Sequence, residues 1–145
     1  MKISKVRDVK LPCRAHETDA GIDFYIPNDF NHVELNQGDS ICIPSGIKVN
    51  VPSGYALIAF NKSGVALKKG LDVGATVVDE TYQGEVHINL NKVTSGKCEI
   101  NPGDKIVQFI LLPINYAKIE EVQENELYTE ISNRGSGGFG SSGNS

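Results

Sequence analysis

Asp79 closes the valine-rich step Val77-Val78 and is followed at short spacing by Tyr82 and Gly84. The segment 74–85 reads as a β-hairpin with a carboxylate and an aromatic ring near its mouth. A carboxylate so placed takes a proton from water, and a positioned base of that kind contributes typically 10²–10⁴-fold to hydrolysis. The same residues also suit a turn-initiating Asp with an aromatic packed on a sheet rim. Asp19 and Asp23 flank an Ala20-Gly21 step. A hard cation such as Mg²⁺ prefers oxygen ligands and keeps several waters, so one carboxylate suffices to hold it through water. Asp-Ala-Gly is equally ordinary turn chemistry. Two shorter fragments, Asn61-Lys62-Ser63-Gly64 and the stretch 103–108 ending in Gln108, offer cations, amides and a hydroxyl to an anion.

The C-terminal segment 132–145 holds ten Gly or Ser in fourteen residues. It cannot bury enough apolar surface to offset its ordering entropy, and composition alone fits a linker. Yet Arg134 and Phe139 stand in it, each beside glycines. A guanidinium matches phosphate oxygens bidentately, glycine-rich backbone forms anion-binding nests, and a phenyl face stacks on a base. A flexible segment with one group of each kind reads as a lid over a nucleotide.

The elements that must position these residues are short strands. The runs 41–43, 47–51, 55–60 and 105–112 are β-branched, aromatic or apolar, and 85–91 alternates with Val86, Ile88 and Leu90 on one face. Turn signals separate them at 36–39, 44–46, 52–54 and 101–104. Only 63–70 suits a short helix, with Ser63 as cap and Gly70 as stop. There is no βαβ alternation and no internal repeat, so the pattern predicts an all-β sandwich or barrel over 1–131 followed by a mobile tail over 132–145.

Composition narrows the function. The 145 residues are 39% hydrophobic and carry a net charge of −4 with a pI near 5.3. That balance opposes a broad basic face for nucleic acid, and no apolar run is long enough to span a bilayer. No secretory pattern opens the chain. Cys13, Cys42 and Cys98 are scattered, and His16, His32 and His87 show no metal-ligand spacing with them. Three reduced thiols in a cytoplasmic protein are expected.

Taken together and in order, these segments resemble the five motifs of the trimeric dUTP pyrophosphatase (dUTPase) family. The first lies at 19–23, the second at 61–64, the third at 74–85, the fourth at 103–108 and the fifth at 134–142. The resemblance implies a jelly-roll-like, distorted β-barrel with one short helix, assembling as a homotrimer whose active sites lie where subunits meet. It implies hydrolysis of dUTP to dUMP and diphosphate with Mg²⁺ as cofactor, which limits uracil in DNA and supplies dUMP for dTMP synthesis. Asp79 would activate water for attack at the α-phosphorus, and Asp23 would hold the metal through a water. Tyr82 would pack under the deoxyribose. Backbone around Gly74, Val77, Val78 and His87 would read the uracil edge. Lys62, Ser63, Gly64 and Gln108 would contact phosphates, Arg134 would clamp the terminal phosphate, and Phe139 with Gly140, Ser141 and Ser142 would complete the lid.

Several positions depart from the family pattern. Asn61-Lys62-Ser63 stands where Pro-Arg-Ser is usual, Lys105 stands for Arg, Thr76 replaces a glycine, and His87 places a titratable side chain beside the expected base. Lysine does not reproduce the bidentate fork of arginine. Two other functions suit the same fold: deamination of dCTP, and regulation of a protein partner switched by nucleotide.

Overall fold

The structure is a computed structural model that describes residues 1–140, 142 and 143. The chain divides into two compact units, Met1–Asn115 and Tyr116–Ser145. The compositional break after Ile131 lies inside the second unit.

The first unit contains eleven strands and one α-helix: β1 (Lys2–Lys5), β2 (Ile22–Phe24), β3 (Val33–Leu35), β4 (Ser40–Pro44), β5 (Ile47–Asn50), β6 (Tyr55–Asn61), α1 (Ser63–Lys69), β7 (Leu71–Val73), β8 (Val77–Val78), β9 (His87–Lys92), β10 (Cys98–Ile100) and β11 (Val107–Pro113). All pairings are antiparallel. A four-stranded sheet runs β2-β11-β6-β8, a three-stranded sheet runs β4-β9-β7, and β1-β5 and β10-β3 form two-stranded ribbons. The expectation of an all-β architecture holds.

Its spine is the β6–β11 ladder, in register from Val107 opposite Asn61 to Pro113 opposite Tyr55. The apolar run over 105–112 becomes a strand only from Val107, with β2 on one side and β6 on the other. Leu57, Phe24 and Phe109 are fully buried, and the two phenyl rings meet with centroids 4.4 Å apart at a 44° tilt. Burying each such side chain contributes about 1.5–3 kcal/mol. The alternation over 85–91 plays out as read: Val86, Ile88 and Leu90 face the core.

Two local readings are corrected. The segment 74–85 is not a two-stranded hairpin, because β8 pairs with β6 while β9 pairs with β4 and β7. It is an excursion between β7 and β9 whose short strand is captured by the neighbouring sheet. Ser63 does not cap α1; the N-cap is extended Lys62, with no side-chain cap bond. Gly70 does end the helix, in the left-handed region at φ 62°, its N–H donating to the Ala66 carbonyl. A β-carbon there would also meet Thr94 Oγ1 at 1.7 Å, so glycine is required on both counts.

The second unit holds a 3₁₀ turn at Glu124–Glu126 and a succession of tight turns. Gly135 N–H donates to Ser132 O and Gly137 N–H to Arg134 O.

Candidate active site

Two clefts in the first unit collect the sequence-predicted residues, and they share no lining residue. The first, about 180 Å³, is walled by 75–79, Tyr82, Val86, His87 and Phe109. Its floor is apolar because Val86 and Phe109 come from the core faces of their strands. Asp79 is exposed at its rim, just beyond buried Val78, which β6 holds opposite Leu57. A tight turn follows, with Tyr82 N–H donating to Asp79 O.

Glu85 sets the far wall. Its carbonyl accepts from the Tyr82 hydroxyl at 2.8 Å and from His87 Nδ1 at 2.9 Å. Its carboxylate accepts from Arg7 Nε at 2.7 Å and from the Gly46 amide at 2.8 Å. The Arg7 guanidinium holds this carboxyl below its ordinary range. Gly84 lets the phenol lie close, since a β-carbon there would sit 2.4 Å from the Tyr82 hydroxyl. The near wall depends on Asn89, whose carbonyl receives the Gly74 amide and whose side-chain oxygen receives Ala75 N–H at 2.8 Å.

The second cleft, about 290 Å³, is lined by Asp19, Gly21, Asp23, Lys62, Lys105 and Gln108 among others. Asp23 is only 5% exposed. Its backbone is held on both sides, by the Cys13 bridge and by Gln108 in register on β11. One carboxylate oxygen is hydrogen-bonded by Lys62 Nζ, and the other lies 3.3 Å from Lys105 Nζ. The bond to Asp23 raises the Lys105 ammonium above its ordinary value. The Gln108 amide donates to Asn61 O at 2.8 Å and lies over Gly21, where a β-carbon would come within 1.9 Å of its oxygen. Asp19 accepts from the His16 amide at 3.0 Å, the main cause of its lowered carboxyl pKa. Among the described residues no group of three or more His, Cys, Asp or Glu converges as a metal cage. Asp23 is the one enclosed carboxylate in this cleft suited to an oxygen-loving cation.

The remaining predicted residues fall elsewhere. Ser63 and Gly64 are exposed in the first turn of α1. Arg134, Phe139, Gly140 and Ser142 belong to the second unit. There Arg134 Nε donates to Gly137 O at 2.7 Å, and exposed Phe139 adopts φ 50°. Ser141 lies outside the described residues.

Sequence reasoning did not single out Arg7, Glu85 or Asn89 as supports, and it gave Asn61 and Lys105 only as members of the two anion-binding fragments, 61–64 and 103–108. The alternation over 85–91 put Asn89 opposite the core face, a weak signal. Nothing local linked Arg7 to Glu85, 78 residues away.

The family model described as dUTPase matches residues 7–143. The deoxyuridine 5'-triphosphate nucleotidohydrolase of Mycolicibacterium gilvum is 37% identical over 94% of this chain and 89% of its own. The dUTPase of Staphylococcus bacteriophage 80alpha, solved with dUpNHpp, superposes with a TM-score of 0.83 at 26% identity, covering 98% of this chain and 97% of that one. A variant dUTPase of phage phi11 of S. aureus, solved for its coordination of a structural Mg(II) ion, has a TM-score of 0.76 at 24% identity over 87% of this chain and 98% of that one. The fold shared with these structures is the jelly-roll-like β-barrel.

Proposed function

The chain belongs to the dUTPase family and hydrolyses dUTP to dUMP and diphosphate, and on that premise we propose how its two clefts divide the substrate. The first cleft takes the deoxyuridine. Gly74, Val77, Val78 and His87 present backbone groups to the uracil edge, and a base with donor and acceptor exchanged would leave buried groups unpaired at about 1–3 kcal/mol each. The Tyr82 ring lies under the sugar and leaves no space for a 2′-hydroxyl.

The second cleft takes the polyphosphate. Lys62 and Gln108 of its lining donate to its oxygens, joined by Ser63 and Gly64 from the adjoining first turn of α1. Asp23 fits a divalent cation held through a water better than direct coordination, since it is a single carboxylate already in contact with two ammonium groups. Mg²⁺ bound there supplies charge neutralisation to the phosphates. Asp79 deprotonates a water; the new O–P bond forms at the α-phosphorus, the bond to the bridging oxygen breaks, and diphosphate departs. Such a reaction asks mainly for positioning and charge stabilisation. Arg134 and Phe139, with Gly140, Ser141 and Ser142, close over the terminal phosphate and the base.

The observation that carries the reading is the division itself. Phe109 lines the apolar cleft that carries a carboxylate at its rim, while its strand neighbours Gln108 and Ile110 line the cleft of Lys62 and Lys105, so the two clefts open on opposite faces of β11. A nucleotide that engages clefts on opposite faces of one strand is best served by two neighbouring copies, which supports an oligomer with shared sites such as the homotrimer. A cytoplasmic setting accords with that substrate. The test is Asp79→Asn. Diphosphate release should fall by roughly 10²–10⁴-fold while dUpNHpp binding persists. Equal turnover by the two proteins would remove Asp79 from the role of base.

A further inference from the structure

Between β7 and β8 the chain crosses from the three-stranded sheet to the four-stranded one, and its amides are handed to two asparagines. Val73 N–H donates to Asn61 Oδ1 at 2.9 Å, Gly74 N–H to the Asn89 carbonyl at 3.0 Å and Ala75 N–H to Asn89 Oδ1 at 2.8 Å. Thr76 O then accepts from Ala59 N–H on β6 at 2.8 Å. Each asparagine is oriented in turn. The Asn89 amide reaches Ile41 O on β4 at 3.0 Å, and Asn61 Nδ2 donates to Asp72 Oδ1. Position 61 must therefore present an acceptor to an amide that only donates and a donor to a carboxylate that only accepts. A side-chain amide does both. A carboxylate there would face Asp72 with like charge, and a proline, usual in the family pattern, would leave the half-buried Val73 N–H unmatched. The Asn61 backbone carbonyl, which holds Gln108 at 2.8 Å, does not depend on that side chain.

We propose that Asn61 and Asp72 form a bracket that sets the 73–76 wall against the nucleobase, so that Asn61 is a positioning residue for base selection although it lines neither cleft. The proposal rests on the reading of the first cleft as the deoxyuridine site. It adds to that reading a residue that sets how sharply the cleft separates uracil from cytosine. Backbone groups discriminate only as well as they are held. A wall free to shift lets its amides and carbonyls re-pair with the exchanged donor and acceptor of cytosine, and the penalty for the wrong base shrinks.

The experiment measures kcat/KM for dUTP and for dCTP, and inhibition by inorganic diphosphate, in the full-length protein and three variants. Asn61→Asp should lower kcat/KM for dUTP about tenfold to hundredfold and narrow the dUTP-to-dCTP ratio by at least about fivefold, as expected when a half-buried amide pairing is broken. Diphosphate inhibition should stay within about twofold, since it reports the second cleft alone. Asp72→Asn should remain close to wild type, because a neutral amide oxygen still accepts from Asn61. The double variant Asn61→Asp/Asp72→Asn reverses donor and acceptor and should restore most of the activity and of the ratio. An unchanged ratio in Asn61→Asp would overturn the bracket, as would a double variant no better than Asn61→Asp. An equal loss of diphosphate inhibition would overturn it too, since it marks a general structural role. Wild type that turns over dCTP as readily as dUTP would remove the base-reading cleft itself, and the bracket with it.

Discussion

Replacing Gly21 by alanine tests whether the second cleft works as drawn. The new β-carbon would lie 1.9 Å from Gln108 Oε1 and 2.7 Å from its Cδ, far inside contact distance. The Gly21 backbone is buried beside β2, so the glutamine side chain must swing away. That breaks its 2.8 Å bond to the Asn61 carbonyl, a loss of about 0.5–1.5 kcal/mol in stability. It also removes the amide from the phosphates, a hydrogen bond to a charged group worth about 1.5–3 kcal/mol, or roughly tenfold to hundredfold in kcat/KM for dUTP. Gln108→Ala should cost about the same in activity. Both changes delete one interaction, so Gly21→Ala/Gln108→Ala should be no slower than Gln108→Ala alone. Steady-state diphosphate release by the four proteins completes the cycle. Full activity of Gly21→Ala, or losses that add in the double variant, would refute the account of Gln108.

Two more outcomes follow from the supports around the clefts. Glu85 is held below its ordinary value of 4.5 by Arg7, so the unfolded chain binds its proton more tightly and the stability it contributes is present above that value and lost as pH falls through it. Denaturant unfolding between about pH 6 and pH 3 should show a shallower acid decline for Glu85→Gln than for wild type, and parallel curves would refute the role of the Arg7 pair. Truncation after Ile131 should leave the β-sheet unit folded by circular dichroism but lower kcat/KM by at least tenfold, from lost base stacking of about 1–3 kcal/mol and the lost Arg134 contact; wild-type kinetics would dismiss the lid.

Much of the site was legible as residue types and much of its support was not. Asp79, Tyr82 and Gly84 suit an ordinary turn as well as a catalytic rim, and they stood out only together with the other four segments in their order. Their hairpin was misread because local sequence carries no information on which sheet captures a two-residue strand. Val77 and Val78 pair equally well with any free edge, and β6 supplies it. Ser63 was read as a cap because serine satisfies free amides well, yet the chain enters α1 from β6 one residue earlier, through Lys62. There the lysine head is drawn to Asp23, across 39 residues of sequence.

The sequence by itself determined the all-β class, the faces of the strands, the candidate chemical groups and the family, because alternation, turn residues and motif spacing are local properties of a chain. Only the tertiary structure decided that those groups fall into two separate clefts, that Glu85 ties Tyr82 and His87 to Arg7, and that Lys62 and Lys105 converge on Asp23. Ion pairs and shared acceptors join residues brought near by strand register and sheet closure, and charge acts through space without regard to position along the chain.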